Sequence, residues 1–290
     1  MPQLVPCPLC GSTKFHKRKE DCGADVVQCS DCRFLYVNPQ PTSEELHRLY
    51  SQEYYGNCAE SVRDSLCYRF PVFRRGVKII CELGSAGRIL DVGCGNGDFP
   101  ELAKRAGWEA FGVELSEHAA AFARSKGLNV VCGTLETAGY AAGFFDVITM
   151  WDVLEHLDHP RRAVEEAHRL LKGGGYLVVR VPNTKFQLLK AFIREDVLRG
   201  KRSSLQGNLH LNHFSATTLR RLLTSAGFEV VREEAGVSED KVHQPRTPLW
   251  FKKAYCSTME VLRKTTSIQL GPTVVQCARK ILNGNRTTPQ

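Results

Sequence analysis

Ile89–Pro100, ILDVGCGNGDFP, decides the reading of this 290-residue chain. An apolar run meets an acid at Asp91, glycines follow at Gly93, Gly95 and Gly97, and an apolar helical pattern resumes through Leu102 and Ala103. That order predicts a strand, a tight turn and a helix start. Alternate glycines give the backbone left-handed angles and let a ligand approach the main chain, and the helix start presents unpaired N–H groups. Turns that cradle a pyrophosphate use G-x-G-x-x-G. Here the third glycine comes one residue early and Asp91 precedes the turn. A carboxylate at the mouth repels a phosphate and suits an ammonium group. The next apolar segment, Ala110–Val113, runs into Glu114, and an acid at a strand end can accept both hydroxyls of a ribose. The ligand so described carries a ribose and a positive charge, and no phosphate.

The series continues through FDVITMWDVLEHLDHP (Phe145–Pro160) and LKGGGYLVVRVPN (Leu171–Asn183). With DVGCGNG and Glu114, these segments resemble the class I S-adenosylmethionine-dependent methyltransferases over most of Ile79–Val231. The resemblance implies S-adenosylmethionine as cofactor, held by Asp91, Gly93, Gly95, Gly97 and Glu114, with Leu115, Thr134, Leu135 and Trp151 as further contacts. Relatives often carry an acid for the adenine amino group near Thr134; its absence here shifts that contact to the Leu135 backbone or to Glu136. Strands alternate with helices through this stretch, which predicts a parallel sheet with right-handed crossovers.

Length and composition bound the rest. The chain is long enough for one large domain and a small module, and its apolar fraction of 42% is that of a soluble globular protein. No apolar run is long enough to span a bilayer and the N-terminus has no signal-peptide core, so the expectation is a cytoplasmic protein. Twelve cysteines then read as reduced thiols or metal ligands. A net charge of +8 attracts anionic partners without naming one.

Cys7 and Cys10 form one C-x-x-C pair, Cys29 and Cys32 a second, at a separation that brings four thiolates to one tetrahedral zinc ion. The expectation is a two-hairpin zinc ribbon too small to fold on its own core, so that the zinc is structural. Cys22 is a spare thiol or an alternative ligand. His16–Lys19 beside Phe15 would permit nucleic-acid contact, although neighbouring acids dilute the charge. An NPQP turn, a helix from Ser43 and the Tyr54–Tyr55 pair resemble the leader of bacterial methyltransferases of glycan and secondary-metabolite pathways. In those enzymes the leader helps close the substrate side, which makes Tyr54 and Tyr55 lid residues or linker packing.

Asp152, Glu155 and His156 follow the fourth strand of the core and on a helix would share one face. Open parallel sheets bind ligands at such strand ends. His156 suits a general base for a hydroxyl acceptor, and His210, in NLHLNHFS (Asn208–Ser215), is a second base candidate. Some quinone O-methyltransferases resemble this stretch and use the acids and the histidine for a divalent ion, so Asp152, Glu155 and His156 are also a magnesium set. Either histidine can instead simply anchor its loop. Lys185–Arg202 reads as a basic insertion near the acceptor. Beyond Gly236, Lys252, Lys253, Arg263, Lys264, Arg279 and Lys280 accompany apolar residues and read as helices, with peripheral membrane or lipid-linked substrate contact as one use and ordinary packing as the other.

The expected architecture is α/β: a doubly wound, Rossmann-like seven-stranded methyltransferase sheet (70–236), preceded by a zinc ribbon (1–40) and a linker or lid helix (41–69) and followed by a basic helical tail (237–290). The expected reaction is methyl transfer to a small-molecule, sugar or lipid-linked glycan acceptor, on oxygen rather than carbon. The alternatives are an RNA methyltransferase gripping substrate with its ribbon and a non-catalytic scaffold.

Overall fold

The computed structural model describes residues 3–48, 61–192, 205, 207, 210–236 and 271–282. Its frame is a seven-stranded sheet in the order β10-β11-β8-β7-β4-β5-β6. The strands are β4 (Arg88–Val92), β5 (Glu109–Glu114), β6 (Asn129–Cys132), β7 (Phe145–Trp151), β8 (Leu171–Pro182), β10 (Phe228–Ala235) and β11 (Thr273–Lys280). The run from β6 to β8 is parallel. β11 alone runs against its neighbours, lying between β8 and β10. Apolar residues fill β4 and β7 because helices cover both faces of a parallel sheet.

Three helix starts carry a local signal. α3 (Asp98–Arg105) begins at Gly97 and places acids in its first turn and Lys104 and Arg105 in its last, as its dipole favours. α4 (Glu117–Ser125) is capped by Ser116 Oγ accepting from the Ala119 N–H, and α7 (Ala216–Ser225) by a Ser215–Thr218 capping box. The remaining helices among the described residues are α1 (Ser43–Arg48), α2 (Ser61–Leu83), α5 (Pro160–Leu170) and α6 (Thr184–Phe192).

β11 corrects the helical reading of the tail in its described part. Residues 273–280, including Arg279 and Lys280, form an antiparallel strand in place of the expected helix. Thr273–Ala278 is buried throughout, because a central strand is covered on both faces and shows no alternation. Its one interior polar side chain, Gln276, donates to Ala216 O and to Glu233. The remaining tail, the Tyr54–Tyr55 pair and the end of the basic insertion lie outside the described residues.

The N-terminal sheet is β1 (Phe15–Asp21), β2 (Ala24–Cys29), β3 (Leu35–Val37) and β9 (Asn212–His213), in that order. Its fourth strand thus comes from the far end of the chain. Cys7, Leu9, Cys29, Cys32, Phe34 and Tyr36 share one apolar cluster with Leu90, Val92 and Phe214. The ribbon has no core to itself.

Candidate functional site

The mouth of the sheet is built by the C-terminal ends of β4, β5 and β7. Asp91, on β4, is buried and accepts a 2.6 Å hydrogen bond from Thr149 Oγ1. Burial pushes its carboxyl up to about 8, although Thr149 and the Arg69 guanidinium pull the other way. Glu114, at the end of β5, accepts from the Gly95 and Ser116 N–H groups, both at 2.8 Å. Burial raises this carboxyl as well. The two bonds leave about half of its lone-pair sites open. Two desolvated acids beside a glycine turn fit a cofactor with a cationic end and a ribose.

The glycines divide by role. Gly93 (φ 67°), Gly95 (φ 52°) and Gly97 (φ 79°) all lie in the left-handed region. A Cβ on Gly97 would stand 2.4 Å from Leu128 Cδ1, and one on Gly93 would stand 2.8 Å from Val153 Cγ2. The third glycine therefore serves the packing of the turn on α4 and the loop before β6. Of the other predicted cofactor contacts, Leu115 is half-buried beside Glu114 and Leu135 is buried in the core. Thr134 is exposed in a turn closed by Thr137 Oγ1 at 2.9 Å. The Trp151 ring packs 5.0 Å from Phe99 and against Gly76 of α2. Its side chain belongs to the core beneath the mouth.

The acceptor side corrects the helical face expected of Asp152, Glu155 and His156. Glu155 and His156 lie on a single turn, closed by the His156 N–H donating to Val153 O at 3.0 Å, and Asp152 sits at the bend before it. Asp152 has φ 57°, a strained angle for a residue with a Cβ, and its carboxylate pairs with Arg180 and, at 2.7 Å, with Arg69. It is not part of the three-residue cluster that Glu155 and His156 join. Glu155 and His156 instead meet His210, with ligand atoms of all three within 4.8 Å of one another. The two imidazoles lie 4.9 Å apart, edge to face. Glu155 is 1% exposed, and among the described residues neither carboxylate oxygen has a hydrogen-bond partner. Burial and the nearby Asp152 charge push its carboxyl well up. Burial pushes His210 down to about 3, so at neutral pH its imidazole is uncharged.

Sequence reading did not reach Arg69, Arg180 or Asn212. Arg69 comes from α2 and Arg180 from the middle of an apolar strand, neither within a motif. Asn212 carries the one legible signal, an asparagine between two histidines. Its side-chain amide donates to Leu154 O (3.2 Å) and Leu157 O (2.6 Å), and its N–H donates to Glu155 O at 3.0 Å.

At the ribbon, all four predicted cysteines converge, with Cys7–Cys32 and Cys10–Cys29 Sγ separations of 3.5 and 3.6 Å. A tetrahedral zinc with bonds of about 2.3 Å needs sulfurs roughly 3.8 Å apart, so the set fits zinc. Cys22 is exposed, at a turn with φ 53°, and stands outside the cluster.

A doubly wound sheet of this order, with a glycine turn and two buried acids at its mouth, is the scaffold of the S-adenosylmethionine-dependent methyltransferases. The family model described as "Methyltransferase domain" matches residues 68–233, more than half of the chain, and the protein belongs to that family. Among solved structures, an S-adenosylmethionine-dependent methyltransferase from Thermotoga maritima superposes with a TM-score of 0.54, covering 79% of this chain and 99% of its own at 23% identity. One from Archaeoglobus fulgidus gives 0.52, covering 73% and 94% at 24% identity. Both likenesses concern the fold. Among curated relatives, the ubiquinone biosynthesis O-methyltransferases of Cronobacter sakazakii and Thiobacillus denitrificans are each 35% identical over 121 residues. That alignment covers 39% of this chain and 50% and 52% of theirs, so the chain spans about half the length of the curated relatives it matches. Among the described residues no helix is long and apolar enough to cross a membrane.

Proposed function

We propose that this protein transfers a methyl group from S-adenosylmethionine to a hydroxyl of a small-molecule acceptor. The observation that carries the reading is the convergence of His156 and His210 on the same strand-end mouth as Asp91 and Glu114. Glu114 would hold the ribose hydroxyls and Asp91, ionised by the approaching cation, the charged end. When bound, the cofactor supplies an electrophilic methyl on a sulfonium. In-line displacement then asks the protein chiefly to align the acceptor and remove its proton. His156, half-buried at the mouth, takes that proton. His210, held neutral by its burial, orients the His156 ring. The ubiquinone biosynthesis relatives, O-methyltransferases by name, support oxygen as the methylated atom.

A second reading rests on Glu155. A buried carboxylate that has no hydrogen-bond partner among the described residues, beside two imidazoles, is a donor set for a divalent cation. The ligands would be Glu155, His156 and His210, with Asp152 Oδ2 held by its two arginines. Such an ion would lower the pKa of the acceptor hydroxyl directly. The Cys7, Cys10, Cys29 and Cys32 site would hold a separate, structural zinc.

The test uses methyl-labelled S-adenosylmethionine with the purified protein and fractionated cell extract. Label in a small-molecule fraction, recovered as a methyl ether that survives base treatment, supports O-methylation. Label in RNA makes the ribbon a substrate grip and overturns it. Loss of transfer after dialysis against a chelator, restored by a divalent ion other than zinc, selects the metal reading over the unassisted base.

A further inference from the structure

The ribbon reaches into the acceptor side by more than proximity. β9 joins its sheet through Leu35↔His213 and Tyr36↔Asn212 pairing, with a 2.8 Å bond from the Val37 N–H to Leu211 O. β3 in turn is reached from the second cysteine knuckle through the Cys29 N–H to Phe34 O bond at 2.9 Å. Phe34 lies 5.1 Å from Phe214, just beyond β9. Each knuckle is also gripped by an arginine of the large domain. Arg161, at the start of α5 after the Glu155 turn, donates to Leu9 O at 2.7 Å; Arg221, on α7, donates to Cys32 O at 3.2 Å. The fourth ribbon strand therefore carries Asn212, whose amide and N–H hold the carbonyls of Leu154, Glu155 and Leu157, and His210 stands two residues upstream.

We infer that the four-cysteine module is a clamp on the acceptor side: metal in its site fixes β3 and β9, and Asn212 is the positioning residue that passes this on to the Glu155–His156 turn and His210. The hydrogen bonds of the cofactor side stay within the large domain: Asp91 accepts from Thr149 Oγ1, the Gly93 and Cys94 N–H groups donate to Val113 O, and Glu114 accepts from the Gly95 and Ser116 N–H groups. A ribbon serving only as an independent folding unit would need no strand from the catalytic domain. The inference rests on the zinc reading for the ion and on the described hydrogen bonds for the coupling.

The experiment begins with zinc content by mass spectrometry, followed by hydrogen–deuterium exchange of the full chain before and after zinc removal with a chelator. Peptides covering 7–37, 153–157 and 210–214 should become faster together, while 88–97 keeps its protection and S-adenosylhomocysteine affinity stays within about twofold. The Asn212→Ala variant should keep its zinc and its cofactor affinity, yet exchange at 153–157 should rise roughly tenfold, the factor that loss of two hydrogen bonds implies. The imidazole 15N resonances of His156 and His210 should shift with it. Exchange that rises in 7–37 alone after zinc removal, or resonances that stay in place in the variant, overturns the clamp and leaves the zinc reading standing. Protein that neither contains nor takes up zinc overturns both.

Discussion

The cofactor side and the acceptor side of this mouth are made in opposite ways. The first is nearly contiguous: Asp91, the glycine turn, Glu114 and Ser116 fall within 26 residues and complete one another through backbone bonds. The second is gathered from α2 (Arg69), the turn after β7, β8 (Arg180) and the segment before α7 (His210 and Asn212), and is braced by a ribbon from the other end of the chain. Local wiring makes a site that a sequence motif can specify. Assembly from distant segments lets acceptor geometry vary while the cofactor turn stays fixed, and it makes that geometry depend on tertiary packing.

The comparison breaks first at the histidines. His156→Ala should lower turnover by about 10²–10⁴-fold, the range of a general base, with S-adenosylhomocysteine affinity unchanged by calorimetry. His210→Ala should do less. If both retain full turnover, alignment alone runs the reaction. On the other side, Glu114→Ala should weaken the cofactor by about 100-fold, because two charge-assisted hydrogen bonds are lost. A weaker effect would move ribose recognition elsewhere.

A third effect is the pH dependence of the cofactor side. Asp91 holds its proton below about pH 8 in the cofactor-free protein, and a bound cation favours the ionised form. Binding therefore releases a proton below that pH. Affinity should climb with pH by up to about tenfold per unit and level off above 8, and calorimetry in buffers of different ionisation enthalpy would count the proton. The sign for stability is the reverse. A folded pKa raised above its ordinary 3.8 gives a contribution present below that value and lost as pH rises through about 8. Asp91→Asn should thus melt higher than the parent at pH 8 without cofactor while binding it worse. The smallest effect is at the half-exposed Lys172–Asp146 pair. Lys172→Ala should change stability by less than about 1 kcal/mol and leave both sides of the mouth untouched.

How much was legible follows the same division. The parallel core and its turn could be read because each strand ends in its own punctuation, and the cysteine pairs could be read because zinc demands that spacing. β11 could not: burial on both faces erased its alternation, and its basic end suggested a helix. The Asp152–His156 segment has helical spacing, but Asp152 takes a left-handed angle between two arginines that no local pattern announces.

By itself, then, the sequence determined the glycine turn, its two acids, the alternation of parallel strands with helices and the four-cysteine set, since each depends on residues close together or on fixed ligand spacing. Only the tertiary structure decided that His210 and not Asp152 joins Glu155 and His156, that the ribbon borrows its last strand from the catalytic domain, and that Asn212 ties the two. Those are contacts between residues 54 to 58 positions apart or more, and their geometry follows from how the sheets pack, which short-range pattern does not encode.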